Sequence, residues 1–227
     1  MCFSASASFG AGAVLLVIGV ASLTKVQHPR QIMFASIPLI FAIQQLSEGF
    51  LWLTLPNPSY FYLQQFITYI FLFFAQVLWP AWVPIAILLL DKENKRKKFQ
   101  RVLVGIGLIV SVYLAYLLIT YSVQAKIIGY HISYKQNYTA TFGILGGIFY
   151  IMATIFPPFF SHIKRMWMFG TTILISYFIT VIFYEHFVVS VWCFFASIIS
   201  ISILLIMVEI NNMSKKPIHL NHHYNAE

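Results

Sequence analysis

The sequence predicts an all-α, polytopic integral membrane protein: a seven-helix transmembrane bundle with its N-terminus outside and its C-terminus in the cytoplasm. Three observations predict it. Only 9% of the 227 residues are charged and 60% are hydrophobic, with a mean hydropathy of +0.82; a soluble domain carries about 25% charged residues. Seven stretches approach the roughly 20 mostly apolar residues needed to cross a bilayer. Finally, lysine and arginine concentrate in every second gap between those stretches, the pattern of cytoplasmic loops.

The opening "MCFSASASFG" has no basic residue ahead of its apolar run. It reads as the start of a first span, near 6–24, and not as a cleaved signal peptide. Further spans fall near 32–54, 60–90, 102–121, 139–161, 166–184 and 188–209. The third is long: about 31 residues would rise roughly 46 Å as one helix. Pro80 and Pro84, in "LWPAWVP", are expected to bend it; a span followed by a short interfacial helix is the alternative. No Gly or Pro separates the last two spans, so the chain is expected to turn near "YEHFVVS". Residues 1–210 read as a single transmembrane domain, and 211–227 as a flexible cytoplasmic tail.

Charge sets the orientation. Lys25 and Arg30, then Lys92, Lys95, Arg96, Lys97, Lys98 and Arg101, then Lys164 and Arg165, then Lys215 and Lys216 all fall on one side. These are twelve of the 14 basic residues. Only Lys126 and Lys135 fall on the other. The formal net charge of +8 therefore reads as loop charge and not as a nucleic-acid surface. No lysine lies in any span, which excludes a retinal Schiff base. There is no Walker motif, no dinucleotide fingerprint and no CxxC pair. The sequence names no cofactor.

Polar residues inside the spans mark the candidate site. In the second span Gln44, Glu48 and Trp52 are spaced by four and share a helix face, with Gln45 at its edge. Glu48 lies about 9 Å below the expected outer end of the helix. An acid at that depth is costly unless partnered or hydrated, so it points to a functional or structural polar site. Matching polar stripes occur at Gln65, Thr68, Tyr69 and Gln76, at Thr172, Ser176, Thr180 and Tyr184, and at Ser190, Cys193, Ser197 and Ser200. The outer turns add Glu185, His186, Trp192, His131 and Tyr134, and the first span adds Cys2 and Ser4. Together they are expected to form an outward-facing polar and aromatic pocket. The plainer reading is that membrane serines and threonines bond neighbouring carbonyls and that tryptophans form the interfacial belt. Cys2 and Cys193 admit three readings: buried thiols, a disulfide, or soft ligands for copper. The tail histidines His219, His222 and His223 read as chance members of a disordered segment, so no metal site is assigned.

The strings "MCFSASASF", "IPLIFAIQQLSEGFLW", "LWPAWVP" and "EHFVVSVWCFFAS" resemble an uncharacterised family of bacterial multi-pass membrane proteins opening Met-Cys-aromatic-Ser-Ala. The resemblance covers nearly the whole chain. It implies an integral membrane protein and carries no activity. Its motif positions here are Cys2, Ser4, Gln44, Gln45, Glu48, Trp79, Pro80, Glu185, Trp192 and Cys193.

The first functional expectation is binding or transport of a small or amphipathic ligand in the cell (inner) membrane. Glu48 would serve as proton carrier or cation contact, and the tryptophans as walls. The second is a membrane enzyme acting on a lipid or lipid-linked substrate, with Glu48 or Glu185 as base and Ser4 or Cys2 as nucleophile. His131 and His186 are too few for a closed zinc site. The third is a structural or sensory subunit. The expected partners are the lipid bilayer and an unidentified ligand, not nucleic acid.

Overall fold

The computed structural model describes residues 4–91, 97–137, 140–184 and 187–215; within them, the side chains of 140–145, 193, 194 and 215 also fall outside the description. Helix α1 (Ala5–Leu23) begins where extended Ser4 accepts the Ala7 N–H on its Oγ, the usual serine cap. Its buried stripe is Ser8, Gly12, Leu15, Gly19 and Ser22. Small residues there let α3 (Ile37–Thr54) lie close: a Cβ at Gly19 would sit 2.4 Å from Leu39, and one at Gly12 2.9 Å from Leu46. Close backbone approach of this kind is what holds helices together where the surroundings supply no hydrophobic force. A short helical turn, α2 (Ile32–Ala35), precedes α3.

The third long segment runs unbroken from Phe61 to Leu90. It comprises α4 (Phe61–Leu72), a π-helical turn (Phe73–Leu78) and α5 (Trp79–Leu90). The expected disruption at the prolines is absorbed by that π turn. Pro80 has no N–H to give the Ala75 carbonyl five residues earlier, the acceptor in a π ladder. The Tyr150 hydroxyl donates to that carbonyl instead, at 2.8 Å. Pro84 likewise cannot donate to the Pro80 carbonyl four residues earlier. Against that oxygen stands Gly107 of α6 (Lys97–Thr120), where a Cβ would lie only 2.0 Å away.

The loop expected between the fourth and fifth spans is a β-hairpin. Strands β1 (Val123–Ile128) and β2 (His131–Gln136) pair antiparallel, with Ile128 opposite His131. Gly129 alone has a positive φ, 60°, which identifies the two-residue turn as type II′. Alternation puts Val123 and Ile132 inward, against Leu51, Phe71, Leu72 and Leu118. The hairpin therefore closes one end of the helices.

Helix α7 (Ala140–Phe159) follows, then α8 (Met166–Phe183), the short α9 (Val188–Phe194) and α10 (Ala196–Lys215). The chain turns between α8 and α9, in the expected "YEHFVVS" region. Helix α10 continues past residue 210, where the tail was expected to begin. Asn211 Nδ2 ties it to the Lys25 carbonyl at 3.2 Å, and Ser214 donates to Gln27. Six of the helical segments are long and apolar enough to cross a membrane: Ala5–Leu23, Pro29–Thr54, Pro58–Leu90, Lys97–Thr120, Met166–Phe183 and Val188–Ser214. In α7 the apolar stretch with described side chains is shorter, Gly146–Phe159. The main core joins α2, α5, α7, α8 and α10 through residues such as Phe34, Val83, Ile87, Ile155, Phe169 and Ile203.

Candidate functional site

The polar face of α3 is wholly buried: Gln44 and Glu48 are 0% exposed and Gln45 is 1% exposed. Their partners come from distant parts of the chain. Ser190 of α9 donates its hydroxyl to Glu48 Oε1 at 2.5 Å, the short end of the hydroxyl–carboxylate range. Tyr134 of β2 reaches the same oxygen at 3.4 Å, with its ring stacked on Phe71, 4.8 Å between centroids. One turn along α3, Gln44 Oε1 accepts the indole N–H of Trp79 at 3.0 Å. Trp79 in turn packs on Phe41, with ring centroids 4.1 Å apart. The hairpin and the π-helical turn are fastened together by Gln76 and Gln136, whose amides exchange hydrogen bonds of 3.2 and 3.1 Å.

Next to this knot lies an interior cavity of about 230 Å³. Gln44, Gln76, Trp79, Tyr150, Tyr177 and Trp192 are in its wall, together with apolar residues of α3, α5, α6, α7, α8, α9 and α10. Among the described residues no charged side chain lines it. The single pocket expected from sequence is therefore two things: a sealed polar knot centred on Glu48, and an apolar cavity one helical turn away. Glu48 does not line the cavity, nor do Trp52 and His131.

The remaining sequence candidates separate in the same way. Trp192 lines the cavity, donates its N–H to Ser176 Oγ at 3.0 Å, and meets Tyr150 and Tyr177 edge-on. Trp52 packs beneath the hairpin. Its buried indole N–H finds no acceptor among the described residues. His131 stacks on Phe187, 4.6 Å between centroids, with Tyr184 edge-on at 5.4 Å. Burial there lowers its pKa from the ordinary 6.5. Ser4 is committed to capping α1. Cys2, Glu185 and His186 lie outside the described residues, as do the three tail histidines and the side chain of Cys193. The hydroxyls of Thr68, Thr172, Ser176 and Thr180 turn back onto carbonyls of their own helices, the plainer role open to them.

A second buried carboxylate escaped the sequence reading. Asp91, at the end of α5, accepts from Gln100 Nε2 at 2.9 Å, from the backbone N–H of His162 at 2.9 Å and from Ser161 Oγ at 3.4 Å. It clamps α5, α6 and the α7–α8 connection. Its position between an apolar run and "KENKRKK" disguised it as loop charge. Among the described residues no three metal-ligating side chains converge.

A family model described as a family of unknown function, DUF6629, matches residues 1–218. No curated protein and no solved structure matches the chain.

Proposed function

The chain belongs to the DUF6629 family, whose function is unknown, and we propose that it is a seven-span membrane protein that binds, and passes through the bilayer, a small molecule of mostly apolar character. The observation that carries the reading is the chemistry of the interior cavity. Its wall is apolar, and the donors of Trp79, Tyr150 and Trp192 are already paired with protein acceptors. An occupant is thus held by apolar contact and aromatic faces. Among the described residues an anion or cation would find no counter-charge there. Glu48 holds α3, α9 and the hairpin together at one end of the cavity, so its bonds to Ser190 and Tyr134 control how that end opens. The charge bias supports placing the hairpin outside and the Asp91 end in the cytoplasm. An enzyme reading finds less support, because Ser190 and Glu48 are both fully buried and neither lines the cavity.

Brominated octanol tests the proposal, since bromine quenches tryptophan emission on contact. In lipid nanodiscs, quenching should saturate with concentration. It should be lost in Gly147→Phe, which fills the cavity at a residue where an added Cβ meets nothing within 4 Å. Unsaturable quenching that is equal in both proteins would overturn the cavity reading.

A further inference from the structure

A second site lies outside the helix bundle core. Between the first half of α4 and strand β1 runs a groove of about 720 Å³. Seven side chains that can donate hydrogen bonds line it, and two of them, Gln64 and Thr68, are spent on backbone carbonyls, which leaves five: Gln65, Tyr69, Ser122, Gln124 and Lys126. Among the described residues no acidic side chain does. These donors contrast with those around the interior cavity. Among the described residues, none of the five donates to a protein acceptor. Ser122 Oγ accepts from Asn137 Nδ2 at 3.0 Å, which leaves its own proton to give. Gln64, by contrast, is spent on the carbonyls of Thr54 and Asn57. Lys126 is exposed and makes no ion pair among the described residues.

The groove sits at a helix start flagged by Tyr60, Phe61 and Tyr62, all outward-facing, with Tyr62 87% exposed. Aromatic clusters of this kind mark the headgroup level of a bilayer. Below it, Phe61, Leu63 and Phe66 continue an exposed apolar face along α4. A ligand that fits both parts carries a negative head with several acceptor oxygens and an apolar body running down the helix.

We infer that this groove binds the phosphate diester headgroup of an anionic phospholipid. Lys126 neutralises the phosphate as a flexible point charge, the amides and hydroxyls donate to its oxygens, and the acyl chains lie along α4. The inference rests on the membrane placement of α4 and not on what occupies the interior cavity, so either can fail alone.

The test uses the full chain in nanodiscs of phosphatidylglycerol and phosphatidylcholine in equal amounts, with retained lipid read by native mass spectrometry. Phosphatidylglycerol should be retained several-fold over phosphatidylcholine. Lys126→Gln should remove that preference, while Lys135→Gln, on the other strand and outside the groove, should keep it. An unaltered thermal midpoint in Lys126→Gln shows that the fold is intact. Equal retention of both lipids, or a preference unchanged in Lys126→Gln, overturns the inference. Competition by millimolar inorganic phosphate or glycerol phosphate also overturns it, because the site would then take free phosphate and not a lipid.

Discussion

At the scale of single residues, Glu48 and Ser190 are unequal partners. Ser190→Ala removes a donor and leaves a buried carboxylate short of its shortest bond. Glu48→Gln keeps an oxygen that can still accept from Ser190 and Tyr134. An unsatisfied buried polar group costs about 1–3 kcal/mol, more when it is charged. Ser190→Ala should therefore lower the thermal midpoint of the purified protein more than Glu48→Gln does, and equal losses would show that the bond is incidental. His131 carries a pH dependence of a different kind. Burial depresses its folded pKa below the ordinary 6.5, so the unfolded hairpin binds a proton more readily than the folded one. Above 6.5 neither form is charged and nothing is lost. As the pH falls through 6.5, the unfolded form gains a proton and hairpin stability declines. Amide exchange in 123–136 should accelerate as the pH drops from 7.5 to 5.5, after correction for intrinsic rates. His131→Phe, which keeps the ring stack, should flatten that dependence.

At the scale of elements, the long third segment shows what a sequence discloses and what it hides. Span positions, the turn near "YEHFVVS" and the polar face at Gln44 and Glu48 were legible because apolar length and helical spacing are local properties. The π turn and the hairpin were not. A π turn depends on which distant group takes the carbonyl that a proline vacates, here Tyr150, some 75 residues away. The hairpin "VQAKIIGYHISYKQ" carries its Gly129 turn signal and alternates, but each strand is only six residues long and its inward face is defined by distant helix residues, Leu51, Phe71 and Leu118. The two carbonyls released by Pro80 and Pro84 also have separable consequences. Tyr150→Phe leaves the Ala75 oxygen unpartnered and should cost about 1–3 kcal/mol. Gly107→Ala drives a methyl into the Pro80 oxygen and should cost roughly as much or more. Gly105→Ala is the control, since an added Cβ there meets nothing within 4 Å. Denaturation of the three variants in one detergent checks the order, and a Gly107→Ala protein as stable as Gly105→Ala would disprove the close crossing of α5 and α6.

For the whole molecule, helical spacing in the sequence grouped the polar residues of α3 but merged two environments into one. Periodicity put Glu48 and Gln44 on a single face, yet it cannot show that one helical turn separates a sealed knot from an open cavity. Asp91 was misplaced for a related reason, since burial at a helix end depends on what α6 and the α7–α8 connection bring to it. What remains a matter of charge is the direction of the whole bundle. Both hairpin lysines lie in one connection, and the connections carrying Lys25, Arg30, Lys164 and Arg165, with Arg101 in the first turns of α6, alternate with it along the chain. In the proposed orientation, cytoplasmic retention of lysine and arginine would put the hairpin outside. In a chain with Cys2 and Cys193 replaced by serine, Lys126→Cys should react with a membrane-impermeant maleimide on intact cells. Lys98→Cys should react only after the membrane is permeabilised. The reverse pattern would invert the bundle, place the headgroup groove in the inner leaflet, and make the Asp91 end the face that meets the exterior.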